Sequence, residues 1–406
     1  MGQRQRVAVA RDKCVSSPLT DRELLISAVW GLNAIRPLVP ELQKIAHACG
    51  QAGSMHGLEL LLGSRFVRRK QPCLVCFRQP ANPPAGPAPM VGAVLLLEYR
   101  ILGMRIGLFA TADSFGVRNV VGPHALHGRF CLMTTRFLLG LRARLVLATW
   151  RPAPSQAPGV HTSSLDPEGF LYACSKRTVQ DTLLLSSTAE QTLKALGKRT
   201  RVHLRAARRK FNRDFPAAQL LDATESLRHA GDEVLQQLNQ SSLDVIDQAE
   251  FNHQVRSVCK SSGGFVLGIL LEGRWIALVG GWRQDRSTWI EWQCNGRGLE
   301  RYSMGSVLRT YLLEEEAARG AANLGFHGGT SHSMLHRFQQ TPVADLLGRR
   351  PGVTVTVAIA LVSWLCKRWP RLLQRGNFLF NALCTPGLAW TAHAPVASSP
   401  DHLPDI

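Results

Sequence analysis

The pattern of hydrophobic and polar positions is most informative between Gly263 and Arg337, where its period changes. Phe265–Leu271 is a continuous apolar run closed by the turn-forming pair Glu272-Gly273. Trp275–Trp282 follows, bounded by Gln284-Asp285-Arg286, and Thr288–Cys294 comes third. Aromatic and β-branched runs bounded by Gly and Asp predict a meander of antiparallel strands. Beyond the loops at Asn295-Gly296-Arg297-Gly298 and Tyr302-Ser303-Met304-Gly305, the period becomes helical. Ser306–Arg319 places Val307, Leu308, Tyr311, Leu312 and Ala318 near one face, with Gly320 where a helix C′ residue belongs. A short apolar strand, Asn323–Phe326, then runs into Gly328-Gly329.

The first half of the chain has a similar grammar. Met1–Thr20 is a polar tail. Asp21 reads as the cap of a helix over Arg22–Leu32, because Leu24, Leu25, Ala28 and Val29 have helical spacing. A second helix is expected over Pro40–Gly50, and His56–Leu62 is a short apolar stretch before the basic Arg65–Lys70. Three strands follow, at Cys73–Phe77, Met90–Tyr99 and Met104–Ala110. The first two are separated by the Pro/Ala/Gly loop Gln79–Pro89, which suits neither helix nor central strand. Arg129–Leu141 is an apolar helix and Arg144–Trp150 a buried strand. Arg151–Gly169, rich in Pro, Ser and Gly, reads as a connector, and Phe170–Leu185 is ambiguous.

The next strong feature is Ser187–Phe211. Thr188–Leu196 begins a helix, with Ser187 as cap and Glu190 in its first turn. The run from Gly197 to Phe211 is densely basic, with Arg201, Arg205 and Arg208 on one helical face. It is either an electrostatic seat for an anionic substrate, a cofactor phosphate or a nucleic acid, or simply a solvated basic helix. Helices over Leu227–Gln240 and Asp247–Lys260 lead into the meander.

Strands, loop, helix and strand in that order resemble the acyl-CoA-binding half of a GNAT-type acyltransferase. The resemblance is specifically to the two-lobed FemAB-like and cellulose-biosynthesis CelD-like acetyltransferase branch. The resemblance spans Glu23–Gly348 as ordered pieces. Two of those pieces are the Leu102-Gly103, Arg105 text of a first lobe and the Gly197–Phe211 run before a second. It implies a mixed α/β (α+β) fold of tandem GNAT-like lobes, each a mixed, mostly antiparallel sheet flanked by helices. The expected organisation is a tail over 1–20, a first lobe over 21–151, a connector over 152–186, a second lobe over 187–375 carrying the acyl-CoA site, and a C-terminal tail over 376–406.

The resemblance also implies acetyl-CoA, or another acyl-CoA, as co-substrate and no metal. Its pyrophosphate would lie on Arg301, Tyr302, Ser303, Met304, Gly305, Ser306 and Val307, where a helix N-terminus offers free N–H groups and partial positive charge. The sequence departs from the usual glycine signature of that loop. Met304 and Ser306 stand at its two glycine positions, and Gly305 is the one glycine there. An aminoacyl-tRNA donor, contacting residues 198–210, and a non-catalytic binding protein of the same fold are the alternatives.

Composition narrows the class further. The chain has 406 residues, enough for two domains, and a formal net charge of +19. Nine lysines against 39 arginines point to a compositional bias with a basic patch inside it. Ten scattered cysteines, mostly among apolar neighbours, suit free thiols in a reducing cytoplasm. Cys73 and Cys76 lie within a strand, where an offset of three turns them to opposite faces. No secretory signal is visible. Val353–Cys366 is too short to span a membrane and reads as a core strand plus helix, with an interfacial helix as the alternative. The expected location is cytoplasmic, with contact to the inner membrane face left open.

Acyl transfer to an amine or hydroxyl requires positioning, proton removal and stabilisation of the carbonyl oxygen. Glu291, between Trp289 and Trp292, is the candidate base, and burial there would raise its pKa. Tyr311 is the candidate acid toward the departing thiolate. The resemblance makes Gly328–Phe338 a substrate-facing loop, so His327 becomes a substrate contact and His332 a proton acceptor. His332 and His336 have i,i+4 spacing, yet no carboxylate completes a metal site. Arg201, Arg205 and Trp289 are the remaining candidates for substrate contact.

Overall fold

In the computed structural model, the described residues are 24–51, 70–80, 88–101, 104–111, 119–141, 143–152, 161–165, 168–230, 235–236, 238, 248–261, 263–326, 338–352, 356 and 393–396. The chain divides into two units. The first takes residues 1–51, 67–176 and 343–406, and the second takes 52–66 and 177–342.

Unit 1 begins with Leu25–Trp30 (β1), the short helix Leu32–Ile35 (α1) and Val39–Ala48 (α2). The helix expected over Arg22–Leu32 is therefore a strand. Its spacing fits a helix, but Ile26, Val29 and Trp30 lie on an antiparallel ladder with Gln71–Arg78 (β2), from Leu25↔Arg78 to Trp30↔Cys73. Pairing with a fully buried neighbour overrides a weak local preference. Met90–Ile101 (β3) and Met104–Thr111 (β4) complete the meander, and Val120–Val121 (β5) pairs with β3. The helix His127–Leu141 (α3) crosses to Leu145–Trp150 (β6), which runs parallel to β4. Phe77 stacks on Phe130 of α3 at 4.4 Å in the centre of this core.

The expected connector is not featureless. It holds His161–Leu165 (β7) and the long strand Leu171–Leu184 (β8), which runs from unit 1 into unit 2. In unit 2, Ala189–Ala195 (α4) is capped by Thr188, one residue later than expected. The Thr188 hydroxyl accepts from Gln191 N at 3.2 Å, while Ser187 donates to the Gln191 side chain. The basic run is one helix, Lys198–Asp214 (α5), followed by Gln219–Asp222 (β9), Thr224–Arg228 (α6) and Gln248–Lys260 (α7).

The meander is Gly264–Leu271 (β10), Arg274–Gln284 (β11) and Ser287–Asn295 (β12). Glu272 and Gly273 both have positive φ, 49° and 74°, as a two-residue hairpin that follows strand twist requires. Met304–Ala318 (α8) then crosses to Asn323–Phe326 (β13), which pairs with β12 in parallel. β13 is also antiparallel to β8. Gln339–Arg349 (β14) leads back into unit 1 and pairs with β6, and His393–Val396 (β15) pairs with β7. Three antiparallel strands, a helix and a fourth strand parallel to the third thus occur once in each unit. This is the mixed α/β plan, a mostly antiparallel sheet flanked by helices, expected from the sequence.

Unit 2 buries its sheet on both faces. Phe265, Leu267, Ile269 and Val279 pack with Leu204, Phe211, Val307 and Leu308 on one side. Val266, Leu278 and Trp292 pack with Phe251, Val255 and Val258 on the other. Two-sided burial explains why β10 reads as a continuous apolar run rather than an alternating one.

Candidate functional site

The site is built where β12, α8 and β13 meet. Between Gly280 and Gly281 of β11 the register with β12 shifts: Gly280 opposes Trp292 and Gly281 opposes Ile290. Glu291 is the extra residue of a β-bulge. Both glycines are required there. A Cβ on Gly281 would lie 1.8 Å from the Trp289 carbonyl oxygen, and one on Gly280 would lie 2.3 Å from the Trp292 ring.

The bulge exchanges the two faces of β12. Before it, Thr288 donates to Glu316 of α8, and Ile290 packs in the α8-side core. After it, Trp292 and Cys294 pack on the opposite side, with Trp292 edge-on to Phe251 of α7 at 5.9 Å. Gln293 and Asn295 are thereby turned toward α8. Gln293 Nε2 donates to Asn295 Oδ1 at 2.9 Å, and a Cβ on Gly305 would meet Gln293 Nε2 at 2.7 Å. The parallel β12–β13 ladder runs from Ser287↔Asn323 to Ile290↔Phe326 and ends beside the bulge.

The start of α8 is set by its own backbone. Ser303 has φ 53° and ψ 56°, a left-handed conformation that a non-glycine residue rarely adopts. Its carbonyl accepts from Ser306 N at 2.7 Å and from Val307 N at 3.2 Å. The earliest N–H groups of any helix have no carbonyl one turn upstream, and the helix dipole adds partial positive charge. The first turn carries no acidic residue. Ser306 Oγ lies 3.3 Å from His203 Nε2 on α5.

Tyr302 and Met304 are 1% and 3% exposed, so only their backbone can meet a ligand. The Tyr302 hydroxyl donates to Asp214 Oδ2 at 3.0 Å, and its ring meets Phe215 edge-on at 5.1 Å. Arg301 is exposed, with its guanidinium 4.8 Å from the Tyr302 ring centre.

Helix α5 does not present one free basic face. Arg205 pairs with Glu190, Arg201 donates to the Lys194 carbonyl at 3.2 Å, and Arg208 pairs with Glu314 of α8. Arg208 also lies 4.0 Å from the ring centre of Tyr311, whose hydroxyl donates to Asn212 at 2.9 Å. Tyr311 is thus engaged with α5, two turns below the start of α8. Lys198, Arg199 and Arg209 are exposed and have no ion pair among the described residues. Glu291 and Trp289 are both half-buried, with Trp289 across Gly325 of β13.

His327, His332 and His336 lie outside the described residues, as does nearly all of Val353–Cys366. Among the described residues no group of metal-ligating side chains converges, and no helix is long and apolar enough to cross a membrane. Cys73 and Cys76 are buried free thiols, and burial pushes Cys76 up to about 12.

Several residues of the site are not apparent from one-dimensional pattern. Gln293, Asn295 and His203 read as ordinary polar positions. Arg309 on α8 does too, yet its guanidinium lies 5.5 Å from the Phe326 ring centre and its Nε is sealed from solvent with no partner among the described residues. The Gly280-Gly281 doublet inside a strand is the one signal that marks the bulge.

No family model matches the chain, and no curated protein matches it either. Solved structures similar to it include L-PGS from Bacillus licheniformis, at 11% identity and TM-score 0.47, over 79% of this chain and 94% of that one. FemX is similar at 7% identity and TM-score 0.44, over 71% and 90%. A tandem GNAT protein from the clavulanic acid biosynthesis pathway is similar at 12% identity and TM-score 0.41, over 81% and 100%.

Proposed function

We propose that unit 2 is the catalytic lobe of an acyltransferase. It would transfer an acyl group, acetyl in the simplest case, from acyl-CoA to an amine or hydroxyl acceptor. The CelD-like resemblance suggests a polysaccharide or cell-envelope precursor as acceptor. The observation that carries this reading is the start of α8 beside the bulged strand β12. A helix N-terminus without acidic residues suits a pyrophosphate. A bulge at the end of a parallel ladder re-aims strand groups toward a bound thioester.

In this mechanism the backbone N–H groups of Met304 and Gly305, which donate to no carbonyl among the described residues, hold the donor phosphates, Ser306 adds a hydroxyl, and Arg301 supplies charge. Glu291 takes the proton from the acceptor as its nitrogen or oxygen attacks the thioester carbonyl. The electron pair of the broken C–S bond leaves with the thiolate, which then takes a proton. His327 and His332, on the segment after β13, are the proposed contacts with the acceptor, and Trp289 lines its approach. Isothermal titration with acetyl-CoA tests the proposal. Micromolar binding that is lost in Gly305→Trp supports it, and no binding by folded protein overturns it.

A second reading keeps the lobe and changes the donor to aminoacyl-tRNA. Its support is the exposed set Lys198, Arg199 and Arg209 on α5, which lacks carboxylate partners among the described residues. Binding of tRNA that weakens steeply with salt supports this donor, because each phosphate contact releases counterions.

A further inference from the structure

We infer that Arg309 is a ligand-binding residue that receives an oxyanion, phosphate or carboxylate, of a substrate bound in unit 2. Besides the exposed Arg301 on Tyr302, three guanidiniums of this unit lie over aromatic rings beneath or beside α8 among the described residues, and their charges are handled differently. Arg208 lies over Tyr311 and pairs with Glu314. Arg283 lies 4.2 Å from the Phe265 ring centre and donates to Glu316 at 2.9 Å. Arg309 lies over Phe326 and has no carboxylate partner among the described residues. Burial holds its pKa below the ordinary arginine value. It remains a cation at neutral pH, because arginine does not release its proton in proteins.

Among the described residues no carboxylate serves Arg309 as a counter-ion. Residues 327–337, which follow Phe326 directly, contain no Asp or Glu. Glu316, two turns further along α8, is already taken by Arg283, Arg319 and Thr288. Desolvating a charge without pairing it is costly, and proteins retain such groups where a ligand completes them.

The position fits that role. Arg309 is one turn after Gly305 on the same helical face, so it extends the line of donors begun by the first turn of α8. Phe326 closes the β12–β13 ladder beside the bulge. A planar guanidinium held against a ring can present its fork to an oxyanion. The inference rests on the reading of this region as a substrate site but not on coenzyme A as the donor.

Thermal unfolding of the full chain tests it with sodium phosphate, pyrophosphate and acetate at fixed ionic strength, on wild type, Arg309→Met and Arg309→Lys. If Arg309 awaits an anion, the apo Arg309→Met protein melts higher than wild type, since an uncompensated charge has been removed. The same variant binds the effective anion about 10- to 100-fold more weakly, the worth of one charge-assisted contact. Arg309→Lys keeps the charge and loses the fork, so its affinity falls between the two. Phosphate or pyrophosphate as the effective ion assigns the site to a phosphate, and acetate assigns it to a carboxylate. A lower melting temperature in Arg309→Met with unchanged anion response makes Arg309 a structural residue and overturns the inference. So does the absence of any anion response in wild type. Anion binding through Arg309 in a protein that does not bind acetyl-CoA would overturn the donor assignment alone.

Discussion

Gly305 sits against Gln293: a β-carbon at residue 305 would lie 2.7 Å from Gln293 Nε2. The obstacle is the end of a flexible side chain, so Gly305→Ala needs only a shift of Gln293. Alanine also gains about 1 kcal/mol of helix propensity over glycine. Gly305→Ala is therefore expected to melt at or above wild type and to bind acetyl-CoA within a few-fold of it. Gly305→Trp fills the first turn of α8 and is expected to abolish binding while the protein stays folded. Calorimetric titration of both variants checks this. Equal binding by Gly305→Trp would move the donor site away from α8.

Glu291 is the extra residue of the bulge, so its side chain is placed by the register shift rather than by strand alternation. If it is the base, Glu291→Gln removes proton acceptance and keeps shape. Turnover is then expected to fall about 100-fold or more, with acetyl-CoA affinity unchanged, as general-base catalysis contributes roughly 10²–10⁴. Thiol release with the acceptor found by screening measures the first quantity, and titration measures the second. A loss confined to affinity would make Glu291 a binding residue.

Glu316 is fully buried on α8 and accepts from Arg283 Nε and Arg319 Nε, each at 2.9 Å, and from the Thr288 hydroxyl. It ties the helix to β11 and β12. Glu316→Gln leaves Arg319 without its carboxylate and Arg283 with only Glu315 at 3.9 Å, and breaking a buried pair in this way costs about 3–5 kcal/mol. Urea unfolding followed by tryptophan fluorescence should show the loss, since Trp275, Trp282, Trp289 and Trp292 all lie in this meander. A midpoint within error of wild type would mean the network is solvated.

Much of this arrangement was legible along the chain, for reasons particular residues make plain. Asn323–Phe326 reads as a strand because Gly320 and Gly328 isolate a short apolar run, and the strand has those same bounds. The Glu272-Gly273 hairpin is likewise written in its turn residues. Leu25–Trp30 misleads because four apolar positions with helical spacing can also serve a strand whose partner is buried. The reversal of faces at Glu291 depends on two glycines in the neighbouring strand, so alternation within β12 alone gives the wrong side for Trp292. Arg309 has the local sequence of any helical arginine. Only three-dimensional packing shows that no carboxylate among the described residues meets it.

Unit 1 carries a separate test through His127, which is 3% exposed. Its Nε2 lies 2.9 Å from Gln51 Nε2 and 3.0 Å from the Gly122 carbonyl oxygen, and its ring stacks on His124 at 4.5 Å. Burial, then the neighbouring His124, lowers its pKa from 6.5 to about 3. The unfolded chain therefore takes up this proton first as pH falls. The stability that neutral His127 contributes is present above pH 6.5 and is lost as pH falls from 6.5 toward 3, at about 1.4 kcal/mol per pH unit. Wild type should lose about 2 kcal/mol from this group between pH 6.5 and 5. His127→Gln should start from a lower plateau and lose less over the same interval, because no buried imidazole remains to be protonated. Denaturant midpoints at the two pH values for both proteins measure the difference. An equally steep fall in His127→Gln would place the acid sensitivity in other groups and leave His127 as a packing residue.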